Sequence, residues 1–158
     1  MQNENAEPSP LLTRRAAIKT AAGLGLALAF ASRADAAADK WTPLGKSELF
    51  VVGKPVRVAV EHGGVLYVTR TDAKTLVAVS AKCTHRGCEV GWSADASQLQ
   101  CPCHGAAFAS SGKNIHGTRR RPEEVLPALV SPQVREKAGI VEVNLGSVTP
   151  DDIEPIEN

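Results

Sequence analysis

The chain has 158 residues, with 18 basic side chains, 17 acidic ones and a formal net charge of +1. Four of the basic and three of the acidic residues lie within positions 1–36, which leaves fourteen of each in the remaining 122 residues. A neutral body of that size is a single domain. Its charge excludes the basic footprint of a nucleic-acid binder and the charge pattern of a protein that lies on a membrane surface.

Taken in chain order, the first feature is a leader over residues 1–36. Thr13-Arg14-Arg15-Ala16-Ala17-Ile18-Lys19 precedes an apolar run at 21–31, and small residues follow at Ala34-Asp35-Ala36. A polar start, paired arginines, a short apolar stretch and a small-residue cleavage site read as a twin-arginine export signal. Ala17 stands where a bulky apolar residue is usual. Eleven apolar residues fall short of the ~20 that span a bilayer. The expectation is cleavage near Ala36, with membrane contact only through an uncleaved leader or a partner complex.

Beyond the leader the chain reads as β throughout. Strands are expected at 49–52, 56–61, 66–71 and 76–81, with a hairpin turn at His62-Gly63-Gly64 and another turn at Thr71-Asp72-Ala73-Lys74. A first cysteine–histidine turn follows, Cys83-Thr84-His85-Arg86-Gly87-Cys88. Residues 98–100 lead into a second one, Cys101-Pro102-Cys103-His104-Gly105, and 107–109 lead out of it. Further strands are expected at 125–132, 134–136 and 140–145, and Lys137-Ala138-Gly139 forms the last turn. This succession is that of a small antiparallel sandwich or barrel. Trp41, Phe50, Tyr67 and Trp92 are read as core residues, and the acidic stretch 147–158 as an exposed C-terminal arm.

The two turns hold all four cysteines of the chain and two of its four histidines, with fifteen residues between His85 and Cys101. Two thiolates and two imidazoles suit a structural zinc ion. They equally suit an iron–sulfur centre in which two histidines replace two cysteines on one of two irons. Three features favour iron. Each turn mixes cysteine with histidine, whereas zinc knuckles normally keep like with like. Pro102 and Gly105 shape the second turn for a sharp exit. Each turn also carries a further cysteine, Cys88 or Cys103. Nothing in the chain forms a nucleophile–base pair, a phosphate loop or a mononuclear iron triad, so bond-making catalysis is not indicated.

Position by position, Cys83 to Cys88 and Cys101 to Gly105 resemble the Rieske iron–sulfur family. The resemblance covers about residues 41–146. It implies an all-β base of stacked antiparallel sheets, a Rieske domain at 37–146, with an inserted cluster-binding subdomain at about 80–118. It also implies a 2Fe–2S cluster, with Cys83 and Cys101 on the inner iron and His85 and His104 on the outer, solvent-facing iron. Cys88 and Cys103 would form a disulfide clamping the loops, and Arg86, Gly87, Pro102, Gly105, Ala106 and Phe108 would surround the cluster. Disulfides persist in oxidising compartments, which agrees with the leader and points to the periplasm or the outer face of the cytoplasmic membrane.

The function so implied is one-electron transfer in an exported electron-transfer chain. The redox partner would be a cytochrome, a quinol-oxidising complex or the large subunit of a periplasmic oxidoreductase. One alternative is the iron–sulfur subunit of a quinol–cytochrome c oxidoreductase; another, of a different class, is a structural zinc module. Three departures from the family pattern bear on this. High-potential members carry serine and tyrosine hydroxyls, bonded to cluster sulfurs, where this chain has Ala106 and Phe108. Quinol-oxidising members commonly have leucine where this chain has Arg86. A proline-rich cover is replaced by the stretch 118–124, whose Arg119, Arg120 and Arg121 would present positive potential to an acidic partner.

Overall fold

The computed structural model describes residues 39–156, and the leader expected over 1–36 lies outside them. Ten strands follow in order: β1 (Trp41–Lys46), β2 (Val56–Ala59), β3 (Val65–Arg70), β4 (Leu76–Ser80), β5 (Gly91–Ser93), β6 (Gln98–Gln100), β7 (Ala107–Phe108), β8 (Asn114–His116), β9 (Val134–Lys137) and β10 (Ile140–Asn144). One short helix, α1 (Pro150–Ile153), comes after them. All strand pairs are antiparallel and make three sheets, ordered β1-β10-β9, β2-β3-β4 and β5-β6-β7-β8. The third sheet is inserted between β4 and β9. Among the described residues no helix is long and apolar enough to cross a membrane.

Strand β3 organises the packing. Its residues are buried along the whole length, as expected of a strand covered on both faces. Successive side chains point to opposite faces, and the two faces feed two different cores. Leu66 and Val68 pack with Phe50, Ala78, Val141 and Val143, joining the second sheet to the first. Val65 and Tyr67 pack with Val79, Val90, Leu99 and Phe108, joining the second sheet to the third. This latter core continues without a break into Cys83, Cys88 and Cys101. The two cysteine–histidine turns therefore stand on a packed apolar floor. At its far end β3 delivers Arg70, whose buried guanidinium donates to the Phe50 carbonyl at 2.9 Å, the Ser47 hydroxyl at 2.8 Å and the Glu136 carboxylate at 2.7 Å. The charge is thus paired and its donors satisfied, and it ties β3 to β9.

The all-β expectation is met, and the structure corrects it in four places. Residues 49–52 do not form a strand: Ser47–Leu49 is a 3-10 turn, and Leu49, Val51 and Val52 are more than half exposed. Residues 125–132 run extended without joining a sheet, because Pro127 and Pro132 lack the N–H a ladder needs. Only single bonds hold them, such as Leu129 N–H to the Gly112 carbonyl and Ser80 N–H to the Val130 carbonyl. Trp41–Lys46, which was not expected as a strand, pairs with β10 across an irregularity between Pro43 and Gly45.

The fourth correction concerns the tail, which is not an exposed arm. Ile153 is buried in the core shared with β10. Ser80 Oγ donates to the Asp152 carbonyl at 2.8 Å, and Ile156 N–H donates to the Gly87 carbonyl at 3.0 Å. Apolar burial outweighs the acidic composition there. Of the four aromatics expected in the core, Phe50 and Tyr67 are buried and Trp92 packs against the core's edge. Trp41 is half-buried, with the Arg135 guanidinium 3.7 Å above its ring.

Candidate metal centre

The two turns are built alike at the level of the backbone. In the first, Cys83 N–H donates to the Cys88 carbonyl at 2.9 Å, and Gly87 N–H donates to the Cys83 carbonyl at 2.7 Å. In the second, Cys101 N–H donates to the Ala106 carbonyl at 2.8 Å, and Gly105 N–H donates to the Cys101 carbonyl at 2.9 Å. Each turn therefore spans six residues, opens on a buried cysteine and needs a glycine in fifth place. Gly87 has φ +81° and Gly105 φ +79°, the left-handed region that side-chain-bearing residues rarely enter. The histidines occupy different places in this frame, third for His85 and fourth for His104. The matching turns hence do not put matching side chains opposite each other.

The donors sort into two pairs. Cys83 and Cys101 are buried to 2% and 1% exposure in one core cluster, and their thiols are neighbours that interact. Burial pushes the Cys83 thiol up to about 11, and the neighbouring Cys101 thiol adds to the rise. Backbone N–H groups of His85 and Arg86 point at the same sulfur and oppose it. Such a thiol keeps its proton near neutral pH unless a metal cation takes that proton's place. Above this pair, the rings of His85 and His104 meet edge to face, with centroids 4.7 Å apart. In both imidazoles Nδ1 is buried and has no hydrogen-bond partner among the described residues. A buried ring nitrogen without a partner is costly, and a metal ion satisfies it. Two thiols and two unpartnered imidazole nitrogens fit the 2Fe–2S group with mixed ligands.

The remaining cysteines, Cys88 and Cys103, are joined by a disulfide, as expected. Their sulfurs and that of Cys101 lie within 4.8 Å of one another. The trio is nonetheless not a donor set, because the two disulfide sulfurs are bonded to each other. Ala106 and Phe108 are completely buried, so no side-chain hydroxyl approaches from these two positions. Pro102 and Arg86 are exposed.

Over the imidazoles lies a cleft lined by His85, Arg86, Cys103, His104, Thr118, Glu124 and the three arginines 119–121. Desolvation holds the His104 imidazole below its usual titration range, and His85, Arg86, Arg119 and Arg120 push it the same way. The tip of the molecule is therefore electropositive. Within it Arg119, Arg120 and Arg121 are all exposed, and the Arg119 side chain bends back across the second turn.

Two further contacts around the turns were not anticipated. Thr84 Oγ1 donates to the Pro127 carbonyl at 2.8 Å, so the extended segment braces the first turn from the side. The docked tail braces it from below: Lys82 Nζ donates to the Asp151 carbonyl at 2.5 Å, alongside the bond from Ile156 to Gly87. The signal for the tail lay in Val148, Ile153 and Ile156, apolar residues within an otherwise acidic, proline-containing stretch.

A β-sandwich that carries buried thiols and unpartnered imidazoles on two disulfide-linked hairpin turns defines a class, that of the iron–sulfur electron carriers. The model of the Rieske [2Fe-2S] domain matches residues 40–132, and this chain belongs to that family. Its cofactor is a 2Fe–2S cluster, and the domain supports one-electron transfer.

Among relatives, the cytochrome b6-f complex iron-sulfur subunit of Chlorobaculum tepidum is 38% identical over 80 residues, 51% of this chain and 39% of the relative. That of Synechococcus sp. (strain JA-3-3Ab) is 35% identical over 78 residues, 49% of this chain and 40% of the relative. The chain thus spans about two-fifths of the length of these relatives. Among solved structures, the cyanobacterial plasma membrane Rieske protein PetC3 from Synechocystis PCC 6803 superposes with a TM-score of 0.54 at 24% identity, over 65% of this chain and 98% of that one. The oxygenase–ferredoxin complex of carbazole 1,9a-dioxygenase also gives 0.54, at 23% identity, over 68% of this chain and 28% of that one. At such identities these two establish the shared fold.

The glycine positions give a test. A Cβ on Gly105 would sit 2.7 Å from Arg119 Cγ, whereas one on Gly87 would meet nothing closer than Lys82 Cε at 3.3 Å. Both substitutions incur the left-handed backbone penalty of roughly 1–2 kcal/mol, and only Gly105→Ala adds a clash. Thermal unfolding of Gly105→Ala should therefore fall clearly below that of Gly87→Ala. Equal melting temperatures would contradict the geometry.

Proposed function

We propose that this chain is an exported one-electron carrier, in which Cys83 and Cys101 hold one iron of a 2Fe–2S cluster and His85 and His104 hold the other. When bound, the cluster supplies a single-electron oxidation–reduction couple. The observation that carries the ligand assignment is the pairing of donors: two thiols buried against each other, and two imidazoles in ring contact whose Nδ1 atoms are both buried and unpartnered.

The residues of the chain divide the remaining work. Val90, Leu99, Phe108, Leu126 and Leu129 form the dry floor beneath the thiols. The half-buried imidazoles form the edge nearest solvent, so an electron leaves or arrives on their side. The disulfide limits how far the two turns can part. It also supports an oxidising compartment, as do the paired arginines and short apolar run of the leader. On this reading residues 1–36 are the signal, 37–146 the Rieske domain with its cluster-binding part at about 80–118, and 147–158 a C-terminal segment.

Burial of Ala106 and Phe108 supports a modest potential. Hydroxyl donors to cluster sulfur stabilise the reduced form and raise the potential, and Rieske centres range from roughly −150 to +300 mV. Protein-film voltammetry at neutral pH should give a midpoint well below the top of that range. A midpoint near +300 mV would refute the assignment of a low-hydroxyl environment.

The electropositive tip supports an acidic redox protein as partner. Arg86, Arg120 and Arg121 are exposed beside the imidazoles, where they accelerate encounter with negative surfaces at low salt. Replacing all three by glutamine should slow electron transfer to an acidic cytochrome at least tenfold at low ionic strength and flatten its salt dependence. An unchanged rate and salt slope would exclude this surface as the docking site.

A second reading is favoured by the relatives, which are cytochrome b6-f iron–sulfur subunits: the chain is the iron–sulfur subunit of a quinol-oxidising complex. Arg86 weighs against it, since a cation is costly to bury in an apolar quinol pocket. A shift of the reduced EPR spectrum on adding a quinol analogue to membranes would favour the second reading over the first.

A further inference from the structure

Arg119 makes a set of contacts that its two neighbours lack. Its backbone N–H donates to the His104 carbonyl at 2.8 Å. Its Nη2 donates to the Cys103 carbonyl at 3.1 Å and to the Pro102 carbonyl at 3.3 Å. Three consecutive carbonyls of the second turn thus accept from one residue seventeen, sixteen and fifteen positions further along the chain. Between these bonds the aliphatic stem lies flat on Gly105, where even a methyl group would come within 2.7 Å of Cγ. The absence of a side chain at Gly105 is what lets the arginine pass.

We infer that Arg119 is a positioning residue for the cluster: a latch that closes the second turn over the metal, and a fixed positive charge that favours the reduced state. The first turn is held by Thr84 on the extended segment and by Ile156 of the tail. The second turn has the disulfide and, from outside its own hairpin, Arg119. Charge-assisted bonds from a planar guanidinium hold geometry better than neutral ones. A cation beside a centre that gains an electron stabilises the reduced form. Arg119, although exposed like Arg86, Arg120 and Arg121, therefore also belongs to the cluster's support, through bonds that those three side chains do not make among the described residues.

The inference rests on the 2Fe–2S reading of the site, and the experiment separates the two. Wild type, Arg119→Gln, Arg119→Lys and Arg120→Gln are purified with cluster, and acid-labile sulfide, iron release to an excess of bathophenanthroline and midpoint potential are measured. Arg120→Gln removes the same charge one residue along, and among the described residues its side chain makes no hydrogen bond to the turn. Release from Arg119→Gln should be at least tenfold faster than from wild type, and from Arg120→Gln unchanged. Arg119→Gln should also lower the reduced-to-oxidised ratio at fixed potential about tenfold, a shift of ~59 mV for a one-electron couple. Arg119→Lys keeps the charge but not the fork, so it should hold the midpoint while releasing iron faster. Equal release from all four proteins overturns the latch. If Arg119→Gln does not fold, the comparison of Arg119→Lys with wild type decides, and equal release again overturns it. Wild-type protein devoid of acid-labile sulfide would overturn the cluster reading instead.

Discussion

Cys83 and Cys101 are buried against each other at the foot of two turns that come from different hairpins, and burial holds the Cys83 thiol at about 11. Two protonated thiols in such a place contribute little that alanine would not, whereas two metal-bound thiolates there can be made only if a cation replaces both protons. The rest of the structure follows from holding these sulfurs in register. Two six-residue turns with the same hydrogen-bond frame bring them together, and glycine in fifth place lets each turn close. The doubly buried strand β3 provides the floor they stand on. The disulfide, the extended segment, the tail and Arg119 then fix the turns from four directions.

Electrostatics at the tip divide into a held part and a presented part. All four arginines are exposed, but Arg119 is tied to carbonyl oxygens of the second turn, while Arg86, Arg120 and Arg121 make no such side-chain bonds among the described residues. Arg86, Arg119 and Arg120 add positive potential around the imidazoles, as the depressed titration of His104 registers after the larger effect of its desolvation. An electron carrier benefits from both parts, because one biases the couple and the other steers the partner. Pairing and burial are treated differently at the opposite end of β3. There Arg70 is neutralised by Glu136 and serves only to fasten sheets.

The two turns that carry the proposed donors were legible in the sequence because they are local: each turn is six residues long, and its cysteine, histidine and glycine positions can be read without knowing the fold. The β character was legible for a similar reason, since period-two patterning and turn residues mark β2, β3, β4 and β10 to within two residues. What escaped was set by distant contacts. Pro43 and Gly45 interrupt the pattern of β1, which is a strand because β10 lies beside it with an irregular register. Residues 125–132 carry strand-like side chains, yet prolines deny them a ladder. The acidity of the tail suggested solvent, but Ile153 and the bond from Ile156 to Gly87 decide its position. Arg119 looked identical to Arg120 and Arg121 in a run of three. Only the space above Gly105 distinguishes it.

The asymmetric grip, sulfur donors on one iron and imidazoles on the other, is tested most directly by Mössbauer spectroscopy of reduced protein enriched in iron-57. The expected spectrum has two components of equal area, a ferrous site with mixed nitrogen and sulfur ligands and a ferric site with sulfur ligands alone. Two equivalent irons, or a protein that binds one zinc per chain and gives no iron spectrum, would contradict it.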